Sequence, residues 1–337
     1  MEAGLAMLLR SWKNKIQTNN LPLSLSEFYG AGTNAAMTTS PDSLPAVTLV
    51  GFGDVGQAYA TALIQQGVPL RVFHPAPRAS ALAAAARLGL AIDSDAATAC
   101  CGADLVLNVA PGPQALAIAT ALSPHLGPHA LFADLSTASP QALREAAALF
   151  APAAYVDAAI LGAISIHGHR TPLLASGTGA ARLRELLQPF GFVIDLMPDS
   201  LPGDATALKL VRSVLTKGMD GVVIECLLIA ESLGLRQQLM PRLADLDASP
   251  LSELMAMFVR THAPHALRRL HEMEAIEETL RGLDLPLIMI AATKQRYARS
   301  VDILGADARL PLEPVGGSVF DRAIPWMLAA ERRHVHD

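Results

Sequence analysis

The sequence predicts an α/β domain built on a doubly wound, mostly parallel sheet, followed by an all-α C-terminal domain. From residue 46 to residue 194, short apolar segments alternate with helical segments of about ten to twelve residues, the pattern of βαβ units. A glycine-rich turn separates the first strand from the first helix, and no strand pattern remains after Pro202. Because crossovers between parallel strands are right-handed, helices are expected on both faces of this sheet.

Each predicted element has a local signal. The strands are short apolar runs, and several helices end at a glycine, as Gly67 and Gly89 show. The predicted strands cover residues 46–50, 70–73, 104–109, 129–133, 154–157, 173–175 and 192–194. The predicted helices cover residues 55–66, 78–88, a segment beginning near 113, 141–149, 180–187, 204–233, 235–246, 251–262 and 265–281.

Length and charge limit the number of domains and the class of partner. At roughly 150 residues per domain, 337 residues predict two domains. The formal net charge of −5 disfavours nucleic acid and anionic membrane surfaces, and no run approaches the roughly 20 apolar residues of a membrane span. The three cysteines form neither a disulfide framework nor a metal knuckle. We therefore expect a cytoplasmic protein whose partner is a small-molecule substrate, with no nucleic acid and no membrane.

The expected domain boundaries follow from these patterns. Residues 1–44 are predicted to be a loose N-terminal extension, or in part a false start, because a typical polar leader follows Met37. Residues 45–198 are predicted to form the α/β domain, and residues 199–330 the helical domain. The scattered histidines, including the pairs His167/His169 and His262/His265, are not part of an HExxH or CxxC motif such as a metal site needs, so no metal is expected.

The first chemical signal is a GxGxxG motif in the right context. It follows an apolar strand and begins a helix, which makes the domain Rossmann-type and predicts a dinucleotide site. The first glycine permits the turn, the second lets a pyrophosphate approach the backbone, and the third lets helix and strand pack closely. The predicted cofactor set is Gly51, Phe52, Gly53, Asp54, Val55, Gly56, His74, Arg78, Val109, Ala110 and Pro111.

The end of the second predicted strand bears on the choice of dinucleotide. An acidic residue there would accept a hydrogen bond from the ribose 2′-hydroxyl of NAD, but this chain has His74 and Arg78 instead. Arg78 could pair with a 2′-phosphate, which favours NADP over NAD. The alternative is that Arg78 only begins the next helix and faces water.

The second signal is a polar stripe on the predicted long helix. Its members lie at helical spacing on one face, while the other faces are apolar, which predicts a buried helix beside a wet groove. The stripe comprises Lys209, Arg212, Ser213, Thr216, Lys217 and Asp220. Burial would lower the pKa of Lys209 and make it a candidate general acid/base, with Arg212 or Lys217 binding an anionic group. The alternative is a solvated face.

Four motifs occur in an order that resembles the β-hydroxyacid dehydrogenases, the relatives of 3-hydroxyisobutyrate and 6-phosphogluconate dehydrogenase, over roughly residues 46–305. They are the glycine turn at 51–56, DLSTASP at 134–140, DAAILGA at 157–163 and GDATALKL at 203–210. The resemblance implies that Lys209 is the catalytic residue and that Ser136 and Thr137 line the substrate and nicotinamide end. The predicted substrate set is Ser136, Thr137, Gly162, Arg212, Ser213 and Lys217.

Some positions depart from that family. Leu161 replaces a serine that usually precedes its second glycine pair, Ala163 replaces the second glycine, and Ser213 replaces an asparagine. These changes remove groups that would hold a carboxylate and a hydroxyl, so the substrate need not be a simple 3-hydroxy acid. The helical part, including residues 268–274, resembles a branch with a 6-phosphogluconate-dehydrogenase-like cofactor domain and a distinctive C-terminal domain.

The predicted function is hydride transfer between NADP or NAD and the carbinol or carbonyl carbon of a small hydroxy acid or polyol-like substrate, with Lys209 as general acid/base. Two alternatives stay open. One is a cofactor-binding protein without turnover, a degenerate paralogue or sensor, which Leu161 and Ser213 would suit. The other is an imine reductase on the same scaffold, which the intact Lys209 disfavours. The resemblance and the apolar helices also suggest a homodimer through the helical domain.

Overall fold

A computed structural model describes residues 44–305, 307–311 and 318–336, so most of the predicted N-terminal extension lies outside the described residues. The strands are β1 Val47–Val50, β2 Leu70–Phe73, β3 Ile92–Asp93, β4 Leu105–Asn108, β5 Leu131–Asp134, β6 Tyr155–Ile160, β7 Leu173–Ser176 and β8 Ile194–Leu196. The helices are α1 Asp54–Gln65, α2 Ala79–Arg87, α3 Ala96–Cys100, α4 Ala115–Leu122, α5 Pro140–Ala147, α6 Ile164–His167, α7 Ala180–Leu187, α8 Asp204–Ser232, α9 Arg236–Leu239, α10 Ala244–Asp247, α11 Leu251–His262, α12 Ala266–Leu280, α13 Ile288–Leu304 and α14 Val319–His336.

The strands of the described part form one eight-stranded sheet in the order β3-β2-β1-β4-β5-β6-β7-β8. Neighbouring strands are parallel except β6 and β7, which are antiparallel. The chain runs outward from β1 through β2 and β3, then returns to β4 on the other side of β1. This reversal is the topological switch point at which open α/β sheets bind ligands. The predicted fold class, a doubly wound sheet followed by helices, is confirmed.

Helices pack on both faces of the sheet because its central strands are apolar on both sides. On one face α1 and α7 contribute Leu63 and Leu183 to a cluster around Leu49. On the other face α3 and α4 pack against Val106 and Phe132. These two layers fix the sheet, so the positions of its strand ends are rigidly determined.

The helical part differs from the prediction in two respects. The segment predicted as one helix over residues 235–246 is broken around Pro241 into α9, a 3-10 turn and α10, because proline cannot donate the next backbone hydrogen bond. The prediction also missed α13 and α14. Glu225, on α8, explains where α13 begins, since its carboxylate accepts hydrogen bonds from the backbone N–H groups of Met289 and Ile290 at 2.8 and 2.9 Å.

The expectation that the long helix is buried is wrong for this chain taken alone. Helix α8 is 29 residues long, and only its N-terminal turn and Ala230 are buried. Val211 and Val214 are 69% and 77% exposed. The helix leaves the sheet after its first turns, and although α13 packs beside it at Gly221, many of its apolar side chains stay exposed in the described part of the chain. Within those residues, no helix combines the length and apolar character needed to cross a membrane.

Candidate active site

A cleft of about 890 Å³ opens at the carboxyl ends of β1, β2, β4, β5 and β6. It lies at the switch point of the sheet, where the turns that follow these strands converge. Of the predicted cofactor set, it is lined by Gly51, Phe52, Gly53, Asp54, Val55, His74, Arg78, Val109, Ala110 and Pro111. Of the other predicted residues, it is lined by Ser136, Thr137, Gly162 and Lys209. One cleft therefore holds both the predicted cofactor end and the predicted catalytic lysine.

The glycine turn forms the floor of the cleft. Gly51 has φ +91°, which favours glycine, and its N–H donates to Phe73 O at 3.0 Å. A Cβ on Gly56 would lie 2.5 Å from Gly51 O, so this glycine lets α1 pack directly under the turn. Gly56 lies beneath the cleft and does not line it, in keeping with the packing role that the motif predicts.

The N-terminus of α1 is suited to a pyrophosphate. Gly53 is its N-cap residue and makes no side-chain capping bond, so the N–H groups of the first turn keep their positive partial charge. A Cβ on Gly53 would meet no atom within 4 Å, so space is open above the backbone there. Exposed N–H groups beside open space are what an anion at a helix N-terminus requires. These residues fit a dinucleotide.

His74 and Arg78 lie at the other end of the cleft, after β2. The Ala76 N–H donates to His74 Nδ1 at 3.2 Å, which leaves Nε2 as the ring nitrogen that can bind a ligand. Burial, and next the Arg78 charge, lower the pKa of His74. Arg78 is exposed at the start of α2, where its guanidinium can meet an anion. Among the described residues that line the cleft, the one carboxylate is Asp54.

The turn after β4 approaches the turn after β5 very closely. At Gly112 an added Cβ would lie 2.3 Å from Thr137 O and 2.8 Å from Ala138 N. Only glycine allows this approach, which sets the distance between the cofactor-binding turn and Thr137. The sequence analysis did not single out Gly112. Its position just after a predicted strand, beside Pro111, could have indicated a residue of the cleft.

A buried carboxylate holds both turns. Asp134, at the end of β5, accepts from Ser136 N at 2.9 Å, Asn108 Nδ2 at 3.1 Å and Tyr155 OH at 3.2 Å. Asn108 Oδ1 in turn accepts from Ala110 N at 3.2 Å. Burial raises the pKa of Asp134, and its hydrogen bonds oppose that rise. The acid of the DLSTASP motif therefore positions the loop and does not face the cleft.

Ser136 lies at the cleft, with a hydroxyl that makes no hydrogen bond of ordinary geometry to the described residues. The residue is 2% exposed and lines the cleft. Its hydroxyl lies near enough to Asp134 to lower the pKa of that carboxyl, yet no hydrogen bond of ordinary geometry joins them. No other described group pairs with Ser136 Oγ. Because a buried hydroxyl without a partner is costly, a polar ligand group is the natural partner for it.

Lys209 reaches the cleft from α8. Its Nζ donates to Thr137 Oγ1 at 2.9 Å, which joins the first turns of α8 to the loop after β5. Burial lowers the pKa of Lys209, Asp157 opposes that change, and Lys217 adds to it. A half-buried amine with a lowered pKa can exchange a proton nearer to neutrality than an exposed lysine.

Three predicted substrate residues do not line the cleft: Arg212, Ser213 and Lys217. Lys209 lies where α8 contacts the sheet, and each later turn lies about 5.4 Å further along the helix axis. Arg212 and Lys217 are exposed. Their binding of a substrate anion stays a prediction. The lining residues that sequence reasoning did not single out include Gln57, Ser80, Gln114, Ile160 and Ile164.

Two family models match the chain. Residues 46–195 match the NAD binding domain of 6-phosphogluconate dehydrogenase, and residues 230–300 match a domain of unknown function, DUF1932. The first match contains the whole glycine turn and the strands that form the cleft. The second lies in the helical part, and it begins near the end of α8.

Known proteins with similar sequences or structures agree with these matches. The chain is 24% identical over 251 residues to an uncharacterized 28.5 kDa protein in the 7S RNA 5′ region of Methanothermus fervidus, covering 74% of this chain and 97% of that protein. It is 27% identical to the conserved protein MTH1747 of unknown function, whose structure is reported as similar to 3-hydroxyacid dehydrogenases, with 76% and 97% coverage and a TM-score of 0.51. A reductive aminase from Aspergillus terreus, solved with NADPH4, cyclohexanone and allyl amine, shares the fold at 17% identity, with 79% and 96% coverage and a TM-score of 0.64.

The fold and the cleft define the class: an NAD-binding protein with a hydroxyacid-dehydrogenase-like fold. Within that class, the chain carries one region that matches the NAD binding domain of 6-phosphogluconate dehydrogenase and a second that matches DUF1932. The resemblance read from the four sequence motifs is confirmed.

Proposed function

We propose that the protein is an NAD(P)-dependent oxidoreductase that acts on a carbinol or carbonyl carbon, with Lys209 as general acid/base. The observation that carries this proposal is the 2.9 Å contact between Lys209 Nζ and Thr137 Oγ1, inside the cleft that the glycine turn begins. Gly53 and the N-terminus of α1 would hold the pyrophosphate of the dinucleotide. When bound, the nicotinamide supplies the hydride donor or acceptor.

The side chains at the cleft would supply proton transfer and substrate binding. Lys209 takes the hydroxyl proton of an alcohol substrate during oxidation, or returns a proton to the oxygen during reduction. The Ser136 hydroxyl can donate to a carbonyl or accept from a hydroxyl, and Thr137 holds the lysine in place. The substrate class is a small hydroxy acid or polyol-like molecule. Arg212 and Lys217 would reach a substrate anion only beyond the cleft itself.

The first experiment is a titration that follows nicotinamide fluorescence with NADPH and NADH side by side. It precedes a substrate panel of 3-hydroxy acids, sugar acids and polyols, followed by absorbance of the reduced cofactor. Saturable binding together with turnover on one panel member supports the proposal. Binding without turnover on any panel member supports the cofactor-binding sensor instead, and binding of neither nucleotide contradicts the proposal.

We further propose that NADP is preferred, because His74 and Arg78 follow β2 and line the cleft, and the turn at 74–78 carries no acidic residue to repel a 2′-phosphate. Arg78→Ala should weaken NADPH binding about tenfold, the equivalent of one exposed charge-assisted hydrogen bond, and change NADH binding less than twofold. Arg87→Ala, at the exposed far end of α2, is the matched control and should change neither. An equal loss for both nucleotides in Arg78→Ala, or tighter binding of NADH to the unaltered protein, contradicts this preference.

An imine reductase remains the second candidate, and its supporting observation is the fold likeness to the reductive aminase. The intact Lys209 weighs against it, because imine reductases usually carry a different proton donor at the position that corresponds to this lysine. A panel of cyclic imines with NADPH distinguishes the two reactions. Reduction of an imine by a Lys209→Met variant, at the rate of the unaltered protein, would favour this second candidate.

We propose that a second copy of the chain covers the exposed face of α8. Val211, Val214 and Val222 lie on one side of α8, opposite its polar stripe, and are between 47% and 77% exposed; an exposed apolar face of this kind marks an interaction site. A twofold axis would pack the same face of each copy together. Val214→Asp should therefore raise the dimer dissociation constant at least tenfold in sedimentation equilibrium. Leu149→Asp, at an exposed apolar site near α5, is the control; an unaltered protein that is monomeric at micromolar concentration contradicts the proposal.

A further inference from the structure

Asp157, in strand β6, has a set of contacts that the proposed chemistry does not use. Its side chain is fully buried, and it lies beside Asp134 in the register of β5 and β6. Oδ2 accepts from Gly203 N at 3.0 Å, Thr206 N at 2.9 Å and Ser176 Oγ at 3.2 Å. Because these donors come from β7 and from the start of α8, the carboxylate holds the start of that helix against the sheet.

These contacts form the N-terminal cap of α8. Gly203, the N-cap residue of that helix, has φ +96° and has no side chain to cap it. The first N–H groups of α8 are instead satisfied from the sheet, since Asp157 accepts from two of them and Ser176 Oγ accepts from Ala205 N at 3.1 Å. The carboxylate also faces the positive end of the helix dipole, which strengthens the cap.

The cap lies one helical turn from the catalytic lysine. Thr206 Oγ1 donates to Asp157 Oδ1 at 2.6 Å, and Lys209 follows Thr206 by three residues, so both side chains lie on the same side of α8. At a Cβ added to Gly203, Pro140 O would be 2.7 Å away, so the helix start also packs tightly against the beginning of α5. A displacement of the helix start would therefore move Lys209 away from Thr137.

We propose that Asp157 is a positioning residue, whose buried carboxylate fixes the start of α8 on the sheet and thereby places Lys209 against Thr137. This inference rests on the proposed function of Lys209. The charge of Asp157 also acts on the lysine: burial lowers the pKa of Lys209, the Asp157 charge opposes that fall, and Lys217 adds to it.

The test measures the lysine directly. The chain has five lysines, so ¹³C-labelled lysine side chains give few NMR signals, and Lys209→Met identifies the signal of Lys209. Asp157→Asn keeps the shape and removes the charge, so we expect the pKa of Lys209 to fall by about one unit. We also expect turnover to fall about tenfold with unchanged NADPH affinity. The matched control is Asp204→Asn, at the same helix end, which should leave the pKa of Lys209 unchanged.

A shift in Asp157→Asn no larger than that in Asp204→Asn would overturn the inference. If Asp157→Asn does not fold, Thr206→Val serves in its place, because it removes the bond to Oδ1 and keeps the charge. Thr206→Val should lower turnover at least threefold without lowering the pKa of Lys209, and turnover equal to that of the unaltered protein overturns the inference. Full turnover in Lys209→Met would instead contradict the proposed function of the lysine. The NMR titration tests the role of Asp157 independently, because it does not measure turnover.

Discussion

Replacement of Lys209 by methionine is expected to lower turnover by about 10²- to 10⁴-fold, the range that general acid–base catalysis contributes. Methionine has a similar length and no proton to exchange, while Thr137, Ser136 and the glycine turn stay in place. Because Lys209 Nζ donates to Thr137 and not to the glycine turn, the dissociation constant for NADPH should change less than threefold. Stopped-flow turnover with the substrate found in the panel, together with the fluorescence titration, measures both quantities.

A second substitution separates charge from proton exchange. Lys209→Arg keeps a positive charge, but guanidinium stays protonated at all ordinary pH values, so turnover should stay as low as in Lys209→Met. Restored turnover in Lys209→Arg would mean that the lysine acts only by its charge. Turnover of Lys209→Met within threefold of the unaltered protein would contradict the mechanism as a whole.

The direction of the pH dependence follows from the same residue. Burial places the pKa of Lys209 below its ordinary 10.5. Oxidation needs the neutral amine to accept a proton, so its rate should rise with pH through this pKa. Reduction needs the ammonium group, so its rate should fall over the same range. Since Lys217 lowers the pKa of Lys209, Lys217→Met should move both curves to higher pH.

Gly112→Ala is expected to have the second largest effect. The added Cβ would meet Thr137 O at 2.3 Å, so the turns after β4 and β5 must separate. Overpacking of this kind costs about 1–3 kcal/mol of unfolding free energy, and a displacement of about 1 Å at Thr137 can cost about 10²-fold in turnover. Denaturant unfolding measures the first quantity and steady-state kinetics the second.

Two glycines provide controls for this substitution. A Cβ on Gly53 or on Gly127 would meet no atom within 4 Å. Gly53→Ala should keep the stability of the unaltered protein yet weaken nucleotide binding, because its methyl group would project into the cleft. Gly127→Ala, outside the cleft, should alter neither. Gly112→Ala with unaltered stability and turnover would show that the two turns can separate without consequence.

Local patterns in the sequence determine the α/β half. A strand that is buried on both faces is largely apolar, and the buried strands β1 and β4 therefore lie within their predicted segments. A helix ends where glycine or proline interrupts its hydrogen bonds, and α7 begins and ends at the predicted residues. Where the local signal is weaker, the prediction fails. The two-residue strand β3 was missed, and the segment around Pro241 was predicted as one helix when it forms three short pieces.

Most of the predicted cofactor residues line the cleft for a similar reason. Parallel strands end at the same edge of a sheet, so the residues that follow β1, β2 and β4 must meet there, whatever the details of packing. Lys209 was singled out by its place on a polar stripe and by the family motif. Contacts between residues far apart in the sequence could not be predicted in this way. Neither the approach of Gly112 to Thr137 nor the capping of α8 by Asp157 leaves a periodic pattern in the sequence.

The sequence by itself thus determined the alternation of strands and helices in the α/β half apart from β3, the glycine turn at the cleft, and the candidate lysine, because each depends on spacing along the chain. Only the tertiary structure decided that Asp134 and Asp157 are buried positioning groups, that Arg212 and Lys217 lie outside the cleft, and that the apolar faces of α8 are exposed. The physical reason is that burial and hydrogen bonding depend on which elements pack together. A motif carboxylate is the same residue type in the sequence whether it faces a ligand or caps a helix whose N-cap glycine lies 46 residues later.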